Sequence, residues 1–402
     1  MSHDSTTRRQ FLGGTAVGLV GTLFAGTAAA GGAPKRIVGT STPEAAEEAR
    51  DRAESVGRTL DFDDIGMAVA GRFSDKAVEQ LRRRRDVRYV EEDGTMHAIH
   101  GDAGARGPRN GGGGDVGTTA AQTLGWGVDR VDAEVAHANG ATGASADVAV
   151  LDTGIDSDHP DLQGNLGAGK AFVKARGKYA EKWDDDNDHG THCAGIADGI
   201  DNGEGVVGVS TAATLHAVKV LDKRGSGSFS DIAAGVQYVA DQGWDVGSMS
   251  LGASSGSQTL KDACQYAVDR GVFLVAAAGN SGPCSDCVGY PAKYSTVVAV
   301  SSTAPGDSLS GFSSTGPEVE LAAPGTDIYS TVPGGYDTFS GTSMACPHVA
   351  GAAGLLMANG DSNTTARSQL GSTAEDIGLS ANESGAGLLD VAAALGLPSS
   401  DD

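Results

Sequence analysis

The sequence predicts an α/β domain on a mostly parallel sheet, preceded by a smaller α+β unit, and three observations predict it. Residues 147–151 (Asp-Val-Ala-Val-Leu) and 272–276 are short apolar runs that end in loop residues, the pattern of strands buried on both faces. Residues 194–197 and 350–357 are apolar and rich in small side chains, which suits buried helices, and Gln258–Asp269 reads as an amphipathic helix. Upstream, from Lys35 to about His100, strand and helix patterns alternate on a smaller scale.

Taken in order, Thr7-Arg8-Arg9-Gln10-Phe11-Leu12 opens a Gly-rich apolar stretch that ends near Ala28-Ala29-Ala30. This is the pattern of a twin-arginine export signal over 1–30, and it predicts an extracellular mature protein. The stretch is too short and too rich in glycine for a transmembrane helix, and no later one would span a membrane. The unit at 31–100 reads as a strand at 36–38, a helix at 43–57, a strand at 66–73, a helix at 74–85 and a strand at Val87–Glu92. Residues 101–120 include four consecutive glycines from Gly111 and read as a flexible linker. The main domain occupies 121–402, with a last helix expected at 387–395.

Three motifs in the main domain carry chemistry. They are Val150-Leu151-Asp152-Thr153-Gly154, His189-Gly190-Thr191-His192-Cys193-Ala194-Gly195 and Gly341-Thr342-Ser343-Met344-Ala345. A serine hydroxyl is a weak nucleophile near neutral pH. It needs a histidine to take its proton, and a buried carboxylate to fix the imidazole tautomer and stabilise the imidazolium. Asp152 falls at the carboxyl end of a strand, where open parallel sheets collect functional groups. Ser343 opens a helix, whose free N–H groups face developing negative charge, and Pro347 comes early enough in that helix to cost little. A fourth part, Ala277-Ala278-Gly279-Asn280, follows an apolar strand and offers an amide donor to a tetrahedral oxyanion.

Together these motifs resemble the subtilisin-type serine endopeptidases, the subtilases of peptidase family S8, over about residues 121–402. The halolysins of salt-loving organisms are the nearest in flavour, without their usual C-terminal extension. Subtilisin is itself the standard case of the Asp…His…Ser order and of the oxyanion Asn, so those assignments follow from the resemblance and not from spacing. The resemblance implies a three-layer α/β/α sandwich with Asp152 as orienting acid, His189 as general base, Ser343 as nucleophile and Asn280 in the oxyanion hole. His192 is then structural. Ser250, Leu251 and Gly252 would pair with an extended substrate as an added strand, with Gly225 and Gly227 as the opposite rail. Phe229 and Ile232 would line the pocket for the fourth residue before the cut. Gly279 and Gly289 would leave the first pocket open, giving broad specificity with a preference for large apolar side chains. Ser248 stands where the family usually has Asn, and the loop after Asn280 is slightly short.

The same resemblance implies that 31–100 is a ferredoxin-like inhibitory propeptide that helps the enzyme fold. It would be removed by self-cleavage near His100, with the mature N-terminus between Gly101 and Ala121. It also implies a structural Ca²⁺, held by the side chains of Gln122, Asp161 and Asn202 and the carbonyls of Ile200, Glu204 and Val206. The run Asp184-Asp185-Asp186-Asn187-Asp188 is either a second cation site or an acidic stretch that salt adaptation explains. Two rival readings stay open. One is a selective processing protease, which needs acidic pockets for basic residues. The other is a catalytically silent peptide-binding module, which the complete set of four motifs disfavours.

Composition points the same way. The formal net charge is −23; residues 1–120 hold 16 Lys and Arg against 17 Asp and Glu, and residues 121–402 hold 13 against 35. Such self-repulsion opposes compaction at low ionic strength and is screened at molar salt, where the Debye length is about 3 Å. With no basic patch to neutralise phosphates, a nucleic-acid partner is not expected. Five cysteines leave at least one unpaired. Cys193, Cys264 and Cys346 read as buried small residues. Cys284 and Cys287 form a C-x-x-C that is a local disulfide, two free thiols or a metal pair, and an exported protein favours the disulfide. The expectation is a monomer acting on proteins and peptides, with sequons at Asn363 and Asn382.

Overall fold

The computed structural model describes residues 32–99 and 121–400, apart from 176, 178 and 179. The expected signal and linker lie outside the described residues. Seven strands form the central sheet in the spatial order Val319–Pro324, Val298–Thr303, Phe273–Ala277, Val246–Met249, Asp147–Asp152, Thr214–Lys219 and Lys170–Ala171. Every pairing in it is parallel. Successive side chains of one strand serve opposite cores, as the pleat requires. Val148 and Val150 pack with the helices His189–Asp198 and Thr342–Ala358, while Ala149 and Leu151 pack with Phe229–Gln242 and Gln258–Asp269. Covered on both faces, the sheet is the middle of three layers. Thr342–Ala358 has no polar face and is buried from Thr342 to Leu356, which fits its place inside the core on that side of the sheet.

The upstream unit has a four-stranded antiparallel sheet, ordered Ser55–Asp61, Met67–Arg72, Lys35–Thr40, Val87–Glu92. Helices Pro43–Arg52 and Asp75–Arg82 close one face around Val38, Ala46, Phe73 and Leu81. The other face, through Ile37, Ala68 and Ala70, joins the core that contains Phe229, Ile232 and Leu260. Two sequence expectations fail here. The helix expected over 43–57 stops at Arg52, and Ser55–Asp61 is a strand, where Val56, Gly57 and Thr59 replace the Ala/Glu pattern. A further strand, Thr95–Ala98, was not anticipated. In the main domain, the helix expected at 387–395 is only Val391–Ala394, because Asp390 caps it and Gly387 has a φ of 145°.

Candidate active site

Asp152 is the last residue of its strand and His189 the first of its helix, and both are completely buried. His189 Nδ1 lies 2.8 and 2.9 Å from the two Asp152 carboxylate oxygens, and Oδ1 also accepts from Thr153 N at 2.7 Å. The imidazole is thereby fixed with Nδ1 toward the acid. Ser343 is the second residue of Thr342–Ala358, and its Oγ donates to the carbonyl of Ile99 at 2.6 Å and of Ser250 at 3.1 Å. Asn280 Nδ2 also donates to the Ile99 carbonyl, at 3.3 Å.

Thr342 was overlooked at the level of sequence, yet it sets how Asn280 is aimed. Its N–H and its hydroxyl both donate to Asn280 Oδ1 at 2.9 Å, which turns the amide nitrogen toward the Ile99 carbonyl. The same hydroxyl accepts from Gly279 N at 3.1 Å. Its position beside Ser343 was the only available signal.

The segment Thr95–Ala98 is the middle strand of a three-stranded antiparallel sheet, between Leu251–Gly252 and Ser226–Ser228. Ala98 pairs with Leu251, His97 with Gly252 and Ser226, and Met96 with Gly227. Ala98 N donates to Gly225 O at 2.8 Å, and Ile99 N to Ser250 O at 3.3 Å. Met96, three residues before Ile99, is fully buried in the cluster that holds Phe229 and Ile232. A Cβ on Gly252 would come within 2.8 Å of Ile99 Cδ1, so glycine gives this side chain its room. Beyond it lies a cavity of about 590 Å³, bordered by Ile99, Gly252, Gly279, Asn280, Gly289 and Tyr290. Asp286 and Lys293 also line it, paired at 3.2 Å, and Lys293 reaches Glu318 at 3.1 Å; this charged rim was not expected. Cys284 and Cys287 form a disulfide in the loop that carries it.

The other two histidines of His189–Asp198 and Thr342–Ala358 are packed, not poised. His192 Nε2 reaches the carbonyls of Ile328 and Asp337, its ring stacks on Phe339 at 4.3 Å, and burial lowers its pKa to about 3. His348 Nδ1 bonds Met344 O at 2.8 Å, and burial lowers its pKa to about 4. Cys193 lies within 4.8 Å of the ligand atoms of Asp152 and His189, but burial holds its thiol well above the ordinary range, so it is a poor nucleophile there.

Farther off, Gln122, Asp161, Ile200, Asn202 and Val206 converge. Gln122 Nε2 reaches the carbonyls of Ile200 at 2.7 Å and Val206 at 3.1 Å, and Asn202 Nδ2 lies 3.3 Å from Asp161 Oδ1. Glu204 joins them through its N–H, which donates to Asn202 Oδ1 at 2.8 Å. Asp161 is completely buried, and no Lys or Arg pairs with it among the described residues. The Asp161 carboxylate also accepts from Val206 N at 2.8 Å, so these groups form one hydrogen-bonded cluster that ties the loop near Asn202 to Asp161 and Gln122. The run at 184–188 differs from a solvated acidic face: Asp184 and Asp185 are buried, and the Asp186 carboxylate pairs at 2.6 Å with the fully buried Lys219.

Comparison with known proteins agrees with this geometry. Residues 143–387 match the model of the subtilase family, peptidase S8. The chain is 41% identical over 332 residues to subtilisin amylosacchariticus of Bacillus subtilis subsp. amylosacchariticus, covering 81% of this chain and 80% of the relative. It is 41% identical over 325 residues to an alkaline protease of Shouchella clausii, covering 80% and 77%. With subtilisin of Bacillus pumilus it shares 43% over 279 residues, 68% of this chain and 99% of the relative. A parallel three-layer core with Asp152 and His189 bonded at the carboxyl end of an interior strand, together with these matches, makes the chain a member of the subtilase family of serine endopeptidases.

Proposed function

We propose that this is a secreted, self-processing, salt-adapted endopeptidase that cuts peptide bonds through an acyl-enzyme on Ser343, and that residues 32–99 are its inhibitory, ferredoxin-like propeptide. One observation carries the proposal: the Ile99 carbonyl oxygen sits 2.6 Å from Ser343 Oγ and 3.3 Å from Asn280 Nδ2, with the preceding residues bonded as a strand on both sides. That is how a substrate's reacting carbonyl would lie, which supports Ile99–His100 as the bond cut in maturation, one residue ahead of the 101–121 window expected from the sequence. The strand order of the upstream sheet, the split βαβ arrangement, fits the propeptide reading.

In this mechanism His189 takes the Ser343 proton while Oγ attacks the carbonyl carbon. Asp152 holds Nδ1–H and stabilises the imidazolium. Negative charge gathers on the oxygen now carried by Ile99, where Asn280 Nδ2 and the Ser343 N–H would receive it. His189 then gives its proton to the leaving amine, and water releases the acyl group by the reverse path. The strand-like seating of Thr95–Ala98 supports recognition of substrate main chain, and the cavity beside Gly279 and Gly289 supports large apolar residues before the cut. Acid excess in residues 121–402 supports salt adaptation of the halolysin kind, and the 1–30 pattern supports twin-arginine export. Gln122, Asp161 and Asn202, with the carbonyls of Ile200, Glu204 and Val206, would hold a Ca²⁺. Its contribution would be to tie the loop near Asn202 to Asp161 and Gln122, away from the chemistry.

The test compares wild type with Ser343→Ala by intact mass after refolding with calcium at molar salt. Wild type should lose the segment ending at Ile99 and hydrolyse casein, and the variant should stay whole. Identical processing of both would exclude self-maturation by Ser343.

A further inference from the structure

The acidic run ahead of His189 has inward work, and one of its members reaches both halves of the catalytic apparatus. Asp185 is 4% exposed. One carboxylate oxygen accepts from Thr153 Oγ1 at 2.8 Å, Asn187 N at 2.9 Å and Asp188 N at 3.3 Å. The other accepts from Thr191 N at 3.0 Å and Thr191 Oγ1 at 2.7 Å. Thr153 directly follows Asp152, and Thr191 lies in the first turn of the helix that His189 begins. The Thr153 hydroxyl also accepts from Gly190 N at 2.9 Å. The two segments already touch, since a Cβ on Gly190 would lie 3.1 Å from Asp152 Cβ and still closer to the Gly154 carbonyl. The neighbouring charge is accounted for separately: Lys219 pairs with Asp186 and donates to Thr153 O.

We propose that Asp185 is a positioning residue for the reaction. Its carboxylate fastens the turn after Asp152 to the first turn of the His189 helix, and so sets the distance and angle at which the imidazole meets Asp152 and Ser343. The inference rests on the triad reading given above. Asp185 touches neither substrate nor the reacting atoms, and its effect runs through His189. Because proximity terms are steep, with a misplacement of about 1 Å costing roughly 10²-fold in rate, a clamp at this point acts on turnover more than on binding. A run that composition reads as surface acidity is, at Asp185, part of the interior framework.

The experiment uses the full chain as wild type, Asp185→Ala, Asp185→Asn and Thr191→Val, each matured by resin-bound wild type that is then removed. Active sites are counted by complete labelling with a fluorophosphonate, and kcat, KM and the pH profile of kcat/KM are measured per labelled site on a chromogenic peptide. Asp185→Ala should lose roughly 100-fold in kcat with KM within about threefold. Asp185→Asn keeps an acceptor for one set of donors and should lose roughly tenfold. Thr191→Val should fall between wild type and Asp185→Asn, and the acid limb should move to lower pH as the grip of Asp152 on the imidazolium loosens. A merely structural role would lower the melting temperature or the labelled fraction and leave kcat per site and the acid limb in place. That outcome overturns the inference. If Asp185→Ala does not fold, the other two variants decide on the same criteria. A wild type that takes up no label would sink the triad reading and this inference with it; an active wild type with unaffected variants would sink the inference alone.

Discussion

The acid limit of the fold should be set in part at His348. It lies fully buried in Thr342–Ala358, with Nδ1 on Met344 O, and Nε2 has no partner among the described residues. Burial lowers its pKa from 6.5 to about 4. A depressed histidine pKa means that above pH 6.5 the ring is neutral in both states and its contribution is complete. As pH falls through 6.5 the unfolded chain takes a proton that the folded chain refuses until about pH 4, so stability is lost across that window. The integral from pH 7 to 4.5 is roughly 2–3 kcal/mol. His348→Gln removes the titration and disturbs the Met344 O bond, for about 1 kcal/mol at pH 7. The variant should therefore be less stable than its parent at pH 7 and more stable at pH 4.5. Urea unfolding of both, in a Ser343→Ala background that prevents self-digestion, reads the crossing. A stability difference that stays constant between pH 7 and 4.5 would refute the reasoning, since it would mean that the ring protonates alike in both states.

Three other outcomes follow from the same contacts. Thr342→Val removes the hydroxyl that aims Asn280 but leaves the Thr342 N–H in place, so kcat should fall about tenfold with KM nearly constant, less than the roughly 10²–10³ for losing an oxyanion donor; Thr342→Ser should restore it in the same steady-state assay. Glu91 accepts from Ser257 Oγ, Gln258 N, Thr259 N and Thr259 Oγ1 at 2.6 to 3.0 Å, at the start of Gln258–Asp269. Glu91→Gln should weaken the grip of residues 32–99 roughly tenfold, or about 1.4 kcal/mol, seen as a shorter lag before full activity. On the calcium proposal, chelation should lower the melting temperature by several degrees, as loss of about 3 kcal/mol of binding linkage would, and Asp161→Asn should abolish that sensitivity in the same calorimetric scan.

The parts of the site that were legible in the sequence are those in which chemistry demands a residue type inside a short motif. Asp152, His189, Ser343 and Asn280 each stand in such a motif, and the fold sets Asp152 against His189 and brings Ser343 and Asn280 onto one carbonyl, that of Ile99. The two apolar runs marked their strands for a similar reason, because a strand covered on both faces has no polar alternation to blur it. Position-dependent roles were not legible. Thr342 and Asp185 act through hydrogen bonds to residues 62 and 32 positions away, at Asn280 and Thr153, and no local pattern announces such partners. Ser55–Asp61 was hidden because it pairs with Met67–Arg72 and owes its extended form to that partner more than to its own composition. Thr95–Ala98 has the same character: its neighbours on both sides lie more than a hundred residues downstream.

That central position of Thr95–Ala98 has a consequence for what the enzyme can digest. On the substrate reading proposed above, a chain taking its place must offer main-chain donors and acceptors along both edges at once, so the strand must first leave any sheet or helix it belonged to. The four residues and the reacting carbonyl beyond them span about 16 Å of extended chain. Few folded proteins present that length free on both sides. The rate at which a native target is cut will then follow how often it opens locally, so the local stability of the target acts as a filter beside the pockets.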